Sequence, residues 1–168
     1  MTIVAYCDSD WAQCPDDRKS TTGYVVQVGG GPVAWQCKKQ HTVALSTTEA
    51  EFVAITEATK DVLWVTYFLT ELGIEYDTPQ IYSDSQSALE WSKNASHHQR
   101  NKHVALKYFF IRDAVRDRLV KLSFISTKDN VADILTKPTT RAVFNYLRPQ
   151  LMGWVNKLTN IIRPARAD

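Results

Sequence analysis

No run of apolar residues approaches the roughly 18 needed for a spanning helix. The N-terminus likewise shows neither the charged nor the apolar region of a signal peptide, so nothing in the sequence directs insertion or secretion. Cysteine is scarce: Cys7, Cys14 and Cys37 are odd in number and show neither C-x-x-C spacing nor a matching histidine pair. That pattern argues against a disulfide framework and a structural zinc site, and reads as reduced cytosolic thiols. An excess of one charge is also lacking, because 20 Lys and Arg against 18 Asp and Glu leave a formal net charge of +2, too mild to argue for a nucleic-acid partner. Internal repeats and low-complexity tracts are absent. What is present is ordinary: 168 residues, 44% hydrophobic and 23% charged, which fit one globular domain with a real core and exclude disordered and collagen-like classes.

The pattern along the chain alternates strand and helix signals. Thr2–Cys7 is a β-rich apolar run that stops at Asp8-Ser9-Asp10, and Gly23–Val28 and Val33–Cys37 flank a Gly29-Gly30-Gly31-Pro32 turn as an antiparallel hairpin. From Ser46 the period becomes helical. Ser46, Thr47 or Thr48 can cap, with Glu49 or Glu51 three residues on; Phe52, Ile55, Thr59, Val62 and Leu63 share a face, and Gly73 can end the helix. Gln80–Ser83 predicts a fourth strand, Asp84–Trp91 a helix, and Arg100–Leu119 a further helix with Val104, Tyr108, Ile111 and Val115 on its apolar side. Val120, Leu122 and Phe124 alternate with Lys121 and Ser123 as a fifth strand, and a helix is expected from about Asn130. This order predicts an α/β fold with a five-stranded mixed sheet, its first three strands antiparallel, covered by helices on both faces.

Four acidic residues fall where strands end or helices begin: Asp8, Glu51, Asp84 and Asp133. Open α/β sheets place ligand sites at such ends. Carboxylates converging there would repel one another, and hard divalent cations with oxygen ligands relieve that repulsion; two ions about 4 Å apart can activate a water and stabilise the leaving oxygen of a phosphodiester. Each residue also has a structural explanation. Asp84 can cap its helix, Glu51 can close a capping box with Thr48, and Asp8 or Asp10 can form turns. Basic residues gather at Arg18-Lys19, at Lys38-Lys39, at Arg100, Lys102 and His103, and at Arg112, Arg116, Arg118 and Lys121; each group is either a phosphate-tracking surface or a solvated face.

Five blocks carry a resemblance. They are Tyr6-Cys7-Asp8-Ser9-Asp10-Trp11-Ala12, Asp17-Arg18-Lys19-Ser20-Thr21-Thr22-Gly23-Tyr24, Ser46-Thr47-Thr48-Glu49-Ala50-Glu51-Phe52, Asp84-Ser85-Gln86-Ser87-Ala88 and Ala132-Asp133-Ile134-Leu135-Thr136-Lys137-Pro138. In this order they resemble the ribonuclease H domain of copia-type LTR retrotransposon polyproteins, over about residues 3 to 153. The resemblance implies a ribonuclease H-like fold and an endonuclease that cuts the RNA strand of RNA–DNA hybrids with two Mg²⁺ ions, Mn²⁺ substituting. It implies a reverse transcriptase domain of the same polyprotein as partner and no membrane. The place of action it implies is the cytoplasm, in the particle of the element, or the nucleus. Carried over by residue, Asp8 bridges both ions, Glu51 and Asp84 hold the ion near the leaving group, and Asp133 holds the ion that activates water. Asp10, a step along from Asp8 and expected on the other face, is the weaker candidate. Ser9, Ser85 and Gln86 resemble backbone-contacting residues, and Arg100, Lys102 and His103 form a basic helix start on the same substrate-binding side.

The family pattern is broken at Val104 and Ala105, where it usually has isoleucine and aspartate, and at Phe109, where it has histidine. The Ser126–Asn130 loop also lacks the histidine linked in cellular relatives to product release, which implies slow turnover. A domesticated, non-catalytic domain that binds nucleic acid or protein is the main alternative, and the four intact carboxylates oppose it. Integrases and transposases place their glutamate last, whereas here it lies between the first two aspartates. A zinc module built on His97, His98 and His103 lacks cysteines at ligand spacing. The expected division is a nuclease domain over 1–153 and a helical tail over 154–168. In that tail Trp154, Val155, Leu158, Ile161 and Ile162 repeat at helical spacing up to Arg163-Pro164, a stripe expected to dock on its own domain rather than on a partner.

Overall fold

A computed structural model describes residues 1–93 and 102–154, with the side chains of 102–105 outside that description. Strands β1 (Ile3–Ser9), β2 (Thr21–Val28) and β3 (Gly31–Lys39) are followed by α1 (Thr47–Glu71), β4 (Gln80–Ser83), α2 (Gln86–Trp91), α3 (Lys102–Arg116) and β5 (Lys121–Phe124). A 3-10 turn (Thr127–Asp129), α4 (Asp133–Thr136) and α5 (Arg141–Leu151) complete the order. The sheet runs β3-β2-β1-β4-β5, antiparallel across the first three strands and parallel from β1 to β4 to β5. The expected five-stranded mixed sheet is therefore present. Because β1, β4 and β5 are parallel, their C-terminal ends share one edge, and that edge is where the site forms.

β1 is buried on both faces, and its alternation sorts two cores. Ile3, Ala5 and Cys7 join Tyr24, Val26, Ile81 and the apolar faces of α1 and α3, including Phe52, Ile55, Val62, Tyr108 and Ile111. Val4 and Tyr6 face the other layer, with Val25, Val131, Ala132 and Leu147. A central strand covered on both sides reads as continuously apolar, which is why Thr2–Cys7 shows no polar alternation. It runs two residues beyond that expectation, so Asp8 sits inside the strand.

Helix α1 starts where the capping signals allow, and the choice among them is informative. Ser46 Oγ accepts the Glu49 N–H at 3.1 Å, and Glu49 Oε2 accepts the Leu45 N–H at 2.9 Å. The cap therefore uses Ser46 and Glu49 and leaves Glu51 free for other work. Likewise α2 is capped by Ser85, whose Oγ accepts the Ala88 N–H at 3.3 Å, so Asp84 is not consumed as a cap.

Two expectations differ from the structure. Phe124 alternates with Lys121 and Ser123 in sequence yet is 49% exposed, because β5 is an edge strand whose end borders a groove. The expected helix from Asn130 is the short α4, and beyond Pro138 a further helix, α5, covers the sheet through Leu147. The buried Gln27 of β2 donates from Nε2 to the carbonyls of Gln150 (2.7 Å) and Leu151 (3.0 Å), partners that the last turn of a helix lacks internally. Gly153, at a φ of 74°, then lies so close to the Gly30 carbonyl that a Cβ would meet it at 2.1 Å. The tail stripe of Val155, Leu158, Ile161 and Ile162 lies outside the described residues. Gln27→Leu should cost about 1–3 kcal/mol, since it removes the donor but leaves buried carbonyls. A lower denaturation midpoint at unchanged m-value checks this; an unchanged midpoint would show that the Gln27 contact contributes nothing to stability.

Candidate active site

Asp8 lies near the end of β1, Asp84 directly after β4 and Asp133 at the start of α4, and each offers a carboxylate oxygen within 4.8 Å of the others. Asp8 is 2% exposed and Asp133 5%. Glu51 stands beside this trio from the first turns of α1, its Oε1 accepting the Ser9 N–H at 3.3 Å. Its buried Oε2 has no hydrogen-bond partner among the described residues. The neighbouring groove, about 720 Å³, is lined by Thr47, Glu51, Asp84, Ser85, Gln86, Ser87, Glu90 and Phe124.

Several residues hold these carboxylates in place. Thr136 Oγ donates to Asp8, and Lys137 Nζ lies 3.1 Å from Asp133 Oδ1 and 3.7 Å from Asp8 Oδ2. Thr127 Oγ1 donates to Asp84 Oδ2 at 2.6 Å. The fully buried Asn130 donates from Nδ2 to the Cys7 carbonyl at 3.0 Å and accepts the Ala132 N–H at 3.2 Å, tying β1 to the start of α4. Gln40, also buried, donates from Nε2 to Ser9 Oγ, Thr22 Oγ1 and the Ala50 carbonyl, so it joins the end of β1 to the start of α1. Gly23 pairs with Asp8 across the β1–β2 ladder. A Cβ there would meet Thr136 Cγ2 at 2.6 Å and Leu135 Cβ at 2.8 Å, so glycine is what lets α4 lie against Asp8.

Lys137 is the only ammonium ion-paired with the carboxylates of this cluster among the described residues. The consequence is electrostatic. Burial, then repulsion by Asp8 and Asp84, pushes the Glu51 carboxyl from its ordinary value of 4.5 to about 9. Burial and Asp8 raise Asp133 to about 6, against the opposing pull of Lys137. Asp8 is also raised, by burial first, although Thr136 and Lys137 oppose it. Buried, mutually repelling, all-oxygen ligands are the donor set that suits a hard divalent cation, so the residues fit such an ion.

The remaining candidates from the motif blocks and basic groups fare differently once placed. Ser85 and Gln86 line the groove, with Ser85 Oγ 3.2 Å from Ser87 Oγ. Ser9 is buried, its hydroxyl donating to the Asp10 carbonyl at 2.9 Å; what it presents to the site is its N–H. Asp10 is two residues past Asp8 rather than on an alternate face of the strand, and the reason it stays out of the cluster is its bond from the Thr21 N–H. Arg100 lies outside the described residues, as do the side chains of Lys102 and His103. Arg116 pairs with Asp113 and Asp117, both at 2.9 Å, and Phe109 lies beneath the Arg112 guanidinium at 4.8 Å. Local sequence signals assign no role to Gly23, Gln40, Asn130, Thr136 or Lys137. Gly23, Thr136 and Lys137 stand inside the motif blocks, but only the fold says what they touch.

Comparison with known proteins places this geometry. By fold the chain is a ribonuclease H-like domain: it superposes on the RNase H1 LC11 isolated from compost with a TM-score of 0.58 at 16% identity, covering 80% of this chain and 92% of that one. RNase H1 from Halobacterium salinarum gives 0.53 at 19% identity, over 81% and 95% of the two chains. By sequence it belongs with the Pol polyproteins of copia-type retrotransposons. It is 46% identical over 151 residues to that of transposon TNT 1-94 from Nicotiana tabacum, and 41% identical over 145 residues to that of transposon RE2 from Arabidopsis thaliana. These matches take in 90% and 86% of this chain but 11% and 10% of the polyproteins, so the chain spans about a tenth of the length of these relatives. No protein-family model matches it. Among the described residues no helix is long and apolar enough to cross a membrane.

Gly23→Ala should push α4 away from β2 and carry Asp133 from Asp8, weakening divalent-ion binding by about 10–100-fold, as loss of a supporting contact does at metal sites. Calorimetric titration with Mn²⁺ measures this, and wild-type affinity in the variant would show that α4 does not depend on Gly23. The raised carboxyls also set a pH dependence. Above about pH 4.5 the folded, metal-free protein keeps protons that the unfolded chain has released, on Asp133 up to about pH 6 and on Glu51 up to about pH 9, with Asp8 shifted in the same direction, so stability falls as pH rises through that window. Melting temperature in chelator should drop by about 5 °C or more across it. Added Mg²⁺ should restore more at the alkaline end; a flat profile with no metal effect would contradict the strained cluster.

Proposed function

We propose that this chain cuts the RNA strand of RNA–DNA hybrids by metal-assisted phosphodiester hydrolysis, with Asp8, Glu51, Asp84 and Asp133 holding two Mg²⁺ ions for which Mn²⁺ can substitute. The observation that carries the reading is the convergence of buried and half-buried carboxylates, opposed among the described residues by one lysine, at the shared end of β1 and β4. Bound there, such a pair of ions would activate a water and stabilise the leaving oxygen. Similarity to Pol polyproteins supports reverse transcription as the setting, with the hybrid as substrate and the polymerase part of the same polyprotein as partner. A solved structure of RNase H1 LC11 in complex with an RNA/DNA hybrid, from a chain of the same fold, supports that substrate class. The nuclease domain is read as 1–153 with 154–168 as a tail, acting in the cytoplasmic particle of the element or in the nucleus.

The chain's own groups divide the work. Asp8, central to the cluster and oriented by Thr136 and Lys137, faces both Asp84 and Asp133. The Ser9 N–H fixes one oxygen of Glu51 and leaves the other without a hydrogen-bond partner among the described residues. Thr48, Ser85 and Ser87 form a connected row of hydroxyls beside the groove, suited to backbone oxygens of the strand being cut. Lys137 lowers the charge of the cluster before ions bind.

Asp8→Asn, Glu51→Gln, Asp84→Asn and Asp133→Asn should each lower cleavage of a labelled hybrid by about 10³-fold without unfolding the protein. Duplex RNA and duplex DNA should remain uncut. Ca²⁺ should allow binding of hybrid but not cutting, because its longer, looser coordination does not keep the geometry Mg²⁺ demands. Full activity in Asp8→Asn with loss in Asp10→Asn would overturn the assignment of the first block, and equal cutting in Ca²⁺ and Mg²⁺ would overturn the mechanism.

A further inference from the structure

The layer formed by α4 and α5 stops short of the sheet's edge strand. On the face of β1 and β2 that meets it, Tyr6 and Val25 are buried with Leu147. Trp35 pairs with Val25 across the β2–β3 ladder, so its side chain points to the same face, yet it is 66% exposed. Val33, the unpaired residue of the bulge in that ladder, is 51% exposed. β3 is also the last strand of the sheet, bonded on the β2 side alone. Apolar side chains on an open edge strand are a surface that folded proteins normally cover.

The flank of α5 beside this surface is apolar as well. With Leu147 facing the sheet, helical spacing sends Tyr146 and Arg148 to opposite flanks. Tyr146 bonds Asp129, just beyond β5, so the flank with Phe144 and Arg148 looks toward β3. The Arg148 guanidinium lies 5.6 Å from the Phe144 ring and 5.7 Å from the Trp154 ring, which carries this row to the end of the helix. The chain then leaves α5 at the same place. Trp154 N–H donates to the Pro149 carbonyl at 2.8 Å and Gly153 N–H to the Gln150 carbonyl at 3.2 Å, and Gly153, in the left-handed region, turns the chain back. The close contact of Gly153 with the Gly30 carbonyl fixes this exit beside the start of β3.

We propose that residues 155–162 form a helix that runs antiparallel beside α5 and docks its apolar side on Val33 and Trp35, extending the α4–α5 layer over the edge strand. At helical spacing Val155, Leu158, Ile161 and Ile162 fall on one side, with Asn156, Asn160 and Arg163 opposite. Two antiparallel helices joined by a short turn are the ordinary outcome of a glycine reversal of this kind. The stripe begins directly after Trp154, which leaves no spacer to carry it to the far layer of the sheet, where α1 exposes Trp64, Phe68 and Leu72. Lengths agree too: eight helical residues rise about 12 Å, and the strand from Gly31 to Trp35 spans about 13 Å. The docking is intramolecular and needs neither metal nor nucleic acid, so it stands apart from the hybrid-cleaving reading.

The test is hydrogen–deuterium exchange of the full chain, read by mass spectrometry on peptides covering 155–162 at low and high protein concentration. In the wild type these amides should exchange about 10-fold or more slowly than in an unstructured chain, equally at both concentrations. Trp35→Ser and Val33→Ser, made separately, should each speed that exchange severalfold toward the unprotected rate. Because both side chains are exposed, exchange in β1 and α5 should stay as in the wild type. Trp64→Ser, at an equally exposed tryptophan on the far layer, is the control and should change nothing in 155–162. Unprotected amides in the wild type overturn the proposal. Protection that survives both β3 substitutions, or is lost in Trp64→Ser, overturns β3 as the seat. Protection that appears only at high concentration overturns the intramolecular docking and assigns the stripe to a second copy of the chain.

Discussion

The structure depends on one unfavourable interaction, the mutual repulsion of carboxylates held close together and out of water at the shared C-terminal edge of β1 and β4. Free carboxylates separate or take up protons, and the upward shifts of Glu51 to about 9 and of Asp133 to about 6 express that pressure in the metal-free protein. The scaffold prevents separation. A parallel pair of strands fixes Asp8 beside Asp84, the capped start of α1 fixes Glu51, and the close seat of α4 over Gly23 fixes Asp133.

Most of the supporting polar contacts serve that arrangement. Asn130, Gln40 and Thr136 tie together the elements that carry the carboxylates, and their buried donors would be costly to leave unmet, while the exposed Thr127 holds Asp84 from the rim. Lys137 makes up part of the missing positive charge from one turn along α4. The apolar cores on the two faces of β1 supply the stability that lets the edge stay strained, a division in which the same strand contributes Ala5 and Cys7 to packing and Asp8 to the site.

Much of this is legible in the residues. Period and turn chemistry mark every strand within about two residues, since strands that bury both faces or bound a glycine turn carry strong local signals. The four acidic positions stand out because strand ends in open α/β sheets are where sites form. The rest depends on three-dimensional closeness. Ser46, rather than Thr47 or Thr48, caps α1 for geometric reasons that no spacing reveals, and α5 buries only Leu147 while Val143, Phe144 and Tyr146 stay exposed, so which of its faces meets the sheet is set by the fold. The need for glycine at position 23 arises from α4, more than a hundred residues away in sequence. Strand parity is a faulty reason to set Asp10 aside, whereas its bond from the Thr21 N–H is what removes it from the cluster. The basic residues of α3 look like a phosphate surface by clustering alone, yet aspartates one to three residues away occupy Arg116, and Arg112 covers Phe109.

The central claim is that the cluster is built to be completed by divalent cations. The most direct measurement is anomalous diffraction from crystals of the protein with Mn²⁺ and an uncleaved hybrid. The expected result is two peaks among Asp8, Glu51, Asp84 and Asp133, with Lys137 displaced from between Asp8 and Asp133. Absence of any peak at these residues, with Lys137 still ion-paired to Asp133, would contradict the account.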